Sequence, residues 1–267
     1  MSARDGVQTI ARYLAGGQPR IGRRAGDVFE RLTDAPWRGG DATGERDPVS
    51  AAQLLPPVRP GKIVCVGLNY RAHIAESQTV IAGGGEVPRE PLLFLKPPSA
   101  VVAHGEAVRY PVGVTRLDPE AEMGVVIGRT ARRVTPEQAL ACIAGITCFN
   151  DVSARNYQRA DGQWTRAKGF DTFAPLGPWI VTGSVTEGRN VECRVNGERR
   201  QQGNTADLLF TVPVLISFIS HIMTLEPDDV IATGTPAGVG AVETGDVIEI
   251  EVEGVGVLRN PVEVWGS

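Results

Sequence analysis

Three carboxylates carry the strongest chemical signal in this chain. Glu120 and Glu122 lead into the apolar run MGVVIG, and Asp151 closes the run ITCFND. Side chains two apart on a strand leave the same face, so the two glutamates can converge on one point. A third carboxylate at the end of another strand is well placed to join them. With no histidine or cysteine beside them, the three make a hard oxygen site. Such a site suits Mg2+, or Mn2+ or Ca2+, rather than zinc. Packed together without a cation, they would raise one another's pKa values. Three carboxylates and a divalent ion leave one negative charge, which Lys168 can balance. Spacing alone equally fits a solvated strand edge, with Asp151 capping the next turn.

His73 and Glu76 stand three apart in NYRAHIAES. On a helix they share a face, and a histidine oriented by a carboxylate is a good general base for water. An ordinary surface pair has the same spacing. His104, in a glycine-bearing turn, and His221, in an apolar run, carry less signal. Of 27 basic side chains only Lys62, Lys96 and Lys168 are lysine, which draws attention to places where a compact ammonium is needed. The four cysteines form no C-x-x-C pair and read as buried, reduced thiols. The GTPAGVG loop lacks the ending of a P-loop, so its glycines read as turn formers that let backbone amides approach a ligand.

The elements that must position these groups are mostly strands. Residues 1–58 hold short alternating runs (TIARYLAG, RIGRRAGDVFERL) cut by Gly turns, read as a small N-terminal β domain with a surface loop over 37–47. The proline-rich LLPPVRPGK is the joint to a second domain over 59–267. There KIVCVGL, PLLFLKPPSAVV, EAEMGVVIGR, GITCF, PLGPWIV, NVECRVNGERRQ and DVIEIEVEGVGVL read as strands, with a hairpin turn at NG. NYRAHIAES, PEQALACIAG (Thr135 as N-cap) and TVPVLISFISHIMTL (Thr211 as N-cap, Pro213 in the first turn) read as helices. The stretch 78–90, with three consecutive glycines, reads as a mobile lid. The sum is an α+β, β-rich fold with little βαβ regularity. At 267 residues, 42% hydrophobic and 22% charged, the composition is that of a globular protein. A net charge of −4 without a basic stripe argues against nucleic acid as a partner. No run is long enough to span a bilayer and the first residues lack an apolar core, so a cytoplasmic protein with no membrane partner is expected.

The blocks KIVCVGLNYRAHIAE, PLLFLKPPSAVV, LDPEAEMGVVIGR, FNDVSARNYQ, KGFDTFAPLGPWIV and IATGTPAGVG resemble, in this order, those of the fumarylacetoacetate hydrolase family, over roughly residues 60–265. The resemblance implies a mixed β-roll catalytic domain, a homodimer and a small keto-acid substrate. It also implies metal ligands at Glu120, Glu122 and Asp151, usually for magnesium, and a water-activating pair at His73 and Glu76. Lys168 is then a charge-stabilising lysine, and Arg155, Gln158 and Thr235 are substrate contacts. The implied reaction is hydrolysis of a carbon–carbon bond in a 1,3-diketo acid of the acylpyruvate type. Similar sequences include isomerases and decarboxylases of dicarboxylic keto acids, which share the same enolate chemistry. A binding protein that has kept the scaffold without turnover is the alternative of another class.

Overall fold

The computed structural model describes residues 6–77, 87–183 and 186–266. Most of the stretch read as a lid, over 78–86, lies outside the described residues.

Strands dominate. A large mixed sheet runs in the order Ala42–Pro48, Val28–Leu32, Gln18–Ala25, Thr9–Ala15, Ala174–Thr182, Ile143–Asn150, Ala121–Ile127, Val230–Ala232, Ile63–Gly67, Leu92–Lys96. Along this order neighbours pair antiparallel except Val230–Ala232 with Ile63–Gly67, which are parallel, and off it Val101–Val102 pairs parallel with Ala174–Thr182. The N-terminal strands join this sheet directly: Thr9 pairs with Val181 and Ile10 with Ile180. A second sheet orders Glu198–Asn204, Asn190–Val195, Val247–Val252, Gly256–Val264 and Val108–Tyr110. The main core lies between the sheets, where Met123, Val125 and Cys148 of one meet Cys193, Ile250 and Leu258 of the other, all without solvent exposure. Strands buried on both faces need no polar alternation, which is why Ala121–Ile127 is apolar apart from Glu122.

Several local readings hold. Asn196 and Gly197 both take positive φ, closing the hairpin between Asn190–Val195 and Glu198–Asn204. The helix Val212–Ile222 starts after Thr211 with Pro213 in its first turn, although the Thr211 hydroxyl makes no capping bond. Others need correction. The stretch 37–47 is only partly loop, because Ala42–Pro48 pairs with Val28–Leu32 as an edge strand. PEQALACIAG gives only one helical turn, Pro136–Ala139, and a 3-10 turn, Leu140–Cys142; strand Ile143–Asn150 begins within it. Sheet pairing overrides local propensity there. At Gly145 a Cβ would lie 2.4 Å from the Val181 carbonyl, so the glycine permits close strand contact. The run DVIEIEVEGVGVL folds into two antiparallel strands, Val247–Val252 and Gly256–Val264, rather than one.

Candidate active site

The site gathers at one end of neighbouring strands. Glu122 lies in Ala121–Ile127 and Glu120 immediately before it, while Asp151 follows the end of the paired strand Ile143–Asn150. The Asp151 amide donates to the Glu120 carbonyl at 2.9 Å, which locks the two segments in register. All three carboxylates are buried, with Glu120 4%, Glu122 2% and Asp151 1% exposed, which rules out a solvated strand edge. One oxygen from each lies within 4.8 Å of the others.

Cations surround this cluster on one side. Lys168 Nζ donates to Glu120 Oε2 at 2.8 Å and to Asp151 Oδ2 at 2.6 Å. Arg155 donates from Nε to Asp118 Oδ2 (2.8 Å), from Nη1 to Gln158 Oε1 (2.8 Å) and from Nη2 to Glu120 Oε1 (2.5 Å). Burial would raise the Glu120 pKa, but Lys168 and Arg155 outweigh it and hold the carboxyl well below the usual range. Glu122 goes the other way. Burial first, then the charges of Asp151 and Glu120, push it well above the usual range, although the Gly234 amide donates to its Oε2 at 2.8 Å.

Lys96, which the sequence reading left without a role, sits beneath the cluster with 1% exposure. Its ammonium donates to the carbonyls of Val152 (3.0 Å), Lys168 (2.6 Å) and Phe173 (2.8 Å). Asp151 Oδ1 lies 2.8 Å from the same nitrogen, yet those three carbonyls take its hydrogens, and the oxygen is buried without a hydrogen-bond donor. A carboxylate oxygen with free lone pairs, beside a glutamate whose pKa burial and neighbouring negative charge push up, fits a hard divalent cation well. The scarcity of lysine pointed to Lys96 as much as to Lys168; its seat in an apolar strand hid it.

His73, on the helix Arg71–Ser77, reaches the same pocket and is 8% exposed. Its Nδ1 lies 3.4 Å from Glu76 Oε2, and the Gly238 amide donates to that same oxygen at 3.0 Å. Burial lowers the His73 pKa below its ordinary value, and the nearby Glu120 and Glu76 only partly restore it. Of the residues singled out from sequence, His73, Glu120, Glu122, Asp151, Arg155, Gln158, Lys168 and Thr235 line one pocket. Glu76 stands behind His73 rather than in the lining.

Gln158 holds Arg155, and the Thr235 hydroxyl is tightly engaged. It donates to the Ala121 carbonyl at 2.9 Å and accepts from Gln201 Nε2 at 2.7 Å. Gln201, whose Oε1 accepts from the Ala121 amide at 2.9 Å, is a second residue not found from sequence; it lies on a strand of the other sheet, 80 positions from its partner. The rest of the lining is apolar: Val66, Gly67, Leu68, Phe94 and Trp164. Asp171 is exposed, and Lys168 is held instead by Glu120 and Asp151.

Comparison with known proteins gives the chain a family. Residues 62–263 match the family description "Fumarylacetoacetate (FAA) hydrolase C-terminal", and residues 9–57 match "Rv2993c-like, N-terminal". The chain is 42% identical over 217 residues to a 2,4-didehydro-3-deoxy-L-rhamnonate hydrolase of a Sphingomonas species, covering 77% of this chain and 74% of that one. It is 41% identical over 221 residues to the mitochondrial oxaloacetate tautomerase FAHD2B of Bos taurus, covering 78% and 68% respectively. Among solved structures, a 2-hydroxyhepta-2,4-diene-1,7-dioate isomerase from Mycobacterium marinum superposes with a TM-score of 0.89 at 37% identity, over 97% of this chain and 100% of that one. A maleylpyruvate hydrolase from Sphingobium sp. SYK-6, solved with manganese(II) and pyruvate, superposes with a TM-score of 0.78 at 29% identity over 97% and 100%. With its catalytic-domain match spanning most of its length and its strand-rich fold shared throughout, this chain belongs to the fumarylacetoacetate hydrolase family.

Proposed function

We propose that this protein is a divalent-cation-dependent enzyme that hydrolyses a carbon–carbon bond in a small 1,3-diketo acid of the acylpyruvate type. The observation that carries this reading is the buried His73, with Nδ1 3.4 Å from Glu76 Oε2, at the pocket that contains the three carboxylates. Glu120, Glu122 and Asp151 would hold the cation, with Mg2+ favoured and Mn2+ or Ca2+ also suited to an all-oxygen donor set. The bound cation supplies Lewis-acid polarisation of the keto oxygen.

The chain's own groups do the rest. With Nδ1 donating to Glu76, Nε2 of His73 is the atom that takes a proton from water. The water oxygen bonds to the distal carbonyl carbon of the substrate. The bond from that carbon to the central methylene then breaks, and its electron pair moves toward the keto oxygen. Lys168 has spent two of its three N–H groups on Glu120 and Asp151, which leaves one to stabilise the charge arriving there. The proton held by His73 returns to the central carbon, and two acids leave. Arg155 keeps Glu120 ionised and oriented, while Gln158 and Thr235 border the substrate.

A second reading has specific support. Relatives named as an isomerase and as an oxaloacetate tautomerase share the same scaffold, and proton movement next to a keto group needs the cluster and a base but no attacking water. Incubation with acylpyruvates, oxaloacetate and unsaturated dicarboxylates, with products followed by NMR, separates the two. Hydrolysis predicts two acids and one 18O from labelled water in the newly formed carboxylate. Isomerised or tautomerised product without cleavage would replace the hydrolase reading with the second.

A further inference from the structure

We infer that Phe94 is a positioning residue: the face of its ring holds the Lys168 ammonium against Glu120 and Asp151. This deepens the proposed function and rests on the part it gives Lys168. Strand Leu92–Lys96 is leucine at every position except Phe94 and Lys96. Residues two apart on a strand leave the same face, so these two share one. Both act on Lys168, at opposite ends of it. The Lys96 ammonium donates to the Lys168 carbonyl at 2.6 Å, and the Lys168 ammonium lies over the Phe94 ring, 5.0 Å from its centroid. One face of one strand thus grips both the backbone and the side chain of this lysine.

The ammonium needs that grip. Lys168 is 2% exposed, and its bonds to Glu120 and Asp151 occupy two of its three N–H groups. Arg155 bonds the same Glu120, and its like charge repels the ammonium. Away from water, the negative face of an aromatic ring attracts a cation strongly. At 5.0 Å it does so without accepting a hydrogen bond, so the third N–H stays available to substrate. An aliphatic side chain would fill the same space and supply no such attraction. The ring is held in turn by Trp164, which meets it edge to face with centroids 5.3 Å apart. The Trp164 carbonyl accepts from the Lys168 amide at 2.9 Å, so the ring's partner and the lysine belong to one turn of chain. Gly67 leaves room for this stack, since a Cβ there would lie 3.0 Å from the Trp164 ring.

A graded series at Phe94 tests the inference. The residue is replaced by 4-fluoro-, 3,5-difluoro- and 3,4,5-trifluorophenylalanine, which withdraw charge from the ring face with little change of shape, and by leucine. Oxalate binding to the Mg2+-loaded protein is read by calorimetry, with Tm measured on the same preparations. The expected result is weaker binding with each added fluorine, reaching about 3- to 30-fold in Phe94→Leu, while Tm of the fluorinated proteins holds. Packing alone predicts the other sign, because fluorine makes the ring more apolar and leaves it in place. Oxalate affinity that stayed level or tightened along the fluorinated series would overturn the inference and leave the proposed function intact. If the unsubstituted protein bound no oxalate, the proposed function would fall, and the inference with it.

Discussion

At the scale of single residues, opposite charges held in a dry pocket decide behaviour. His73 is the clearest case. His73→Ala should lower hydrolysis by about 10²–10⁴-fold while Mg2+-dependent oxalate binding survives, as read by steady-state kinetics and calorimetry on the same preparation. Because burial holds the imidazole below its ordinary 6.5, the acid limb of kcat/KM should fall with an apparent pKa under that value. A limb above 6.5 would assign the proton to another group. Glu122 gives a prediction of the opposite sign. Its folded-state pKa is raised above the ordinary 4.5, so its contribution to stability is fully present below 4.5 and is lost as pH rises through the folded value. A divalent cation takes the place of that proton. The metal-free protein should therefore lose Tm as pH rises above 4.5 through the folded value, Mg2+ should restore it, and Mg2+ binding below that folded value should release protons. Identical binding heats in buffers of different ionisation enthalpy would count against this. Glu122→Ala should abolish both the Mg2+ signal and oxalate binding.

At the scale of elements, short strands and the loops at their ends are tied together by buried polar groups. Lys96, at the end of Leu92–Lys96, binds carbonyls from three separate segments and stands against Asp151. Lys96→Met would leave three carbonyls unpaired in the interior and take one of two ammonium groups from Asp151. The expected cost is about 3–5 kcal/mol, measured by urea denaturation; a cost under about 1 kcal/mol would mean that water replaces the ammonium without penalty. The legibility of the site follows the same division. Glu120 and Glu122 could be paired from sequence because strand periodicity is local, and His73 with Glu76 because helix periodicity is. Gln201 could not, since only the approach of a second sheet brings it to Ala121 and Thr235. Lys96 was visible as one of three lysines, but its three acceptors are backbone carbonyls, which carry no sequence signal. PEQALACIAG misled for a related reason: helix-forming residues run straight into a strand whose pairing partners lie elsewhere in the chain.

At the scale of the whole molecule, the N-terminal strands are bound into the main sheet. Thr9–Ala15 covers the edge of Ala174–Thr182, and Tyr13 stacks on Phe29 with ring centroids 4.5 Å apart. Trp37 and Arg38 both donate to Asp228, at 2.8 and 2.7 Å, on the far side of the sequence. A chain beginning at residue 59 would leave Ile180 and Val181 on the edge of Ala174–Thr182 unpaired, and should aggregate where the full chain does not, as followed by light scattering. A truncated chain as soluble as the full one would show that this edge needs no cover. Across the same sheet, the pocket draws on the ends of five neighbouring strands: Ile143–Asn150, Ala121–Ile127, Val230–Ala232, Ile63–Gly67 and Leu92–Lys96. Each contributes one to three residues, in the strand or just beyond it, and each keeps its register through backbone pairing that ignores side-chain identity. A substitution at Leu68 therefore leaves in place the backbone pairing that sets Glu122 and Asp151 in register, so the rim of the pocket and its acid centre are separable by construction.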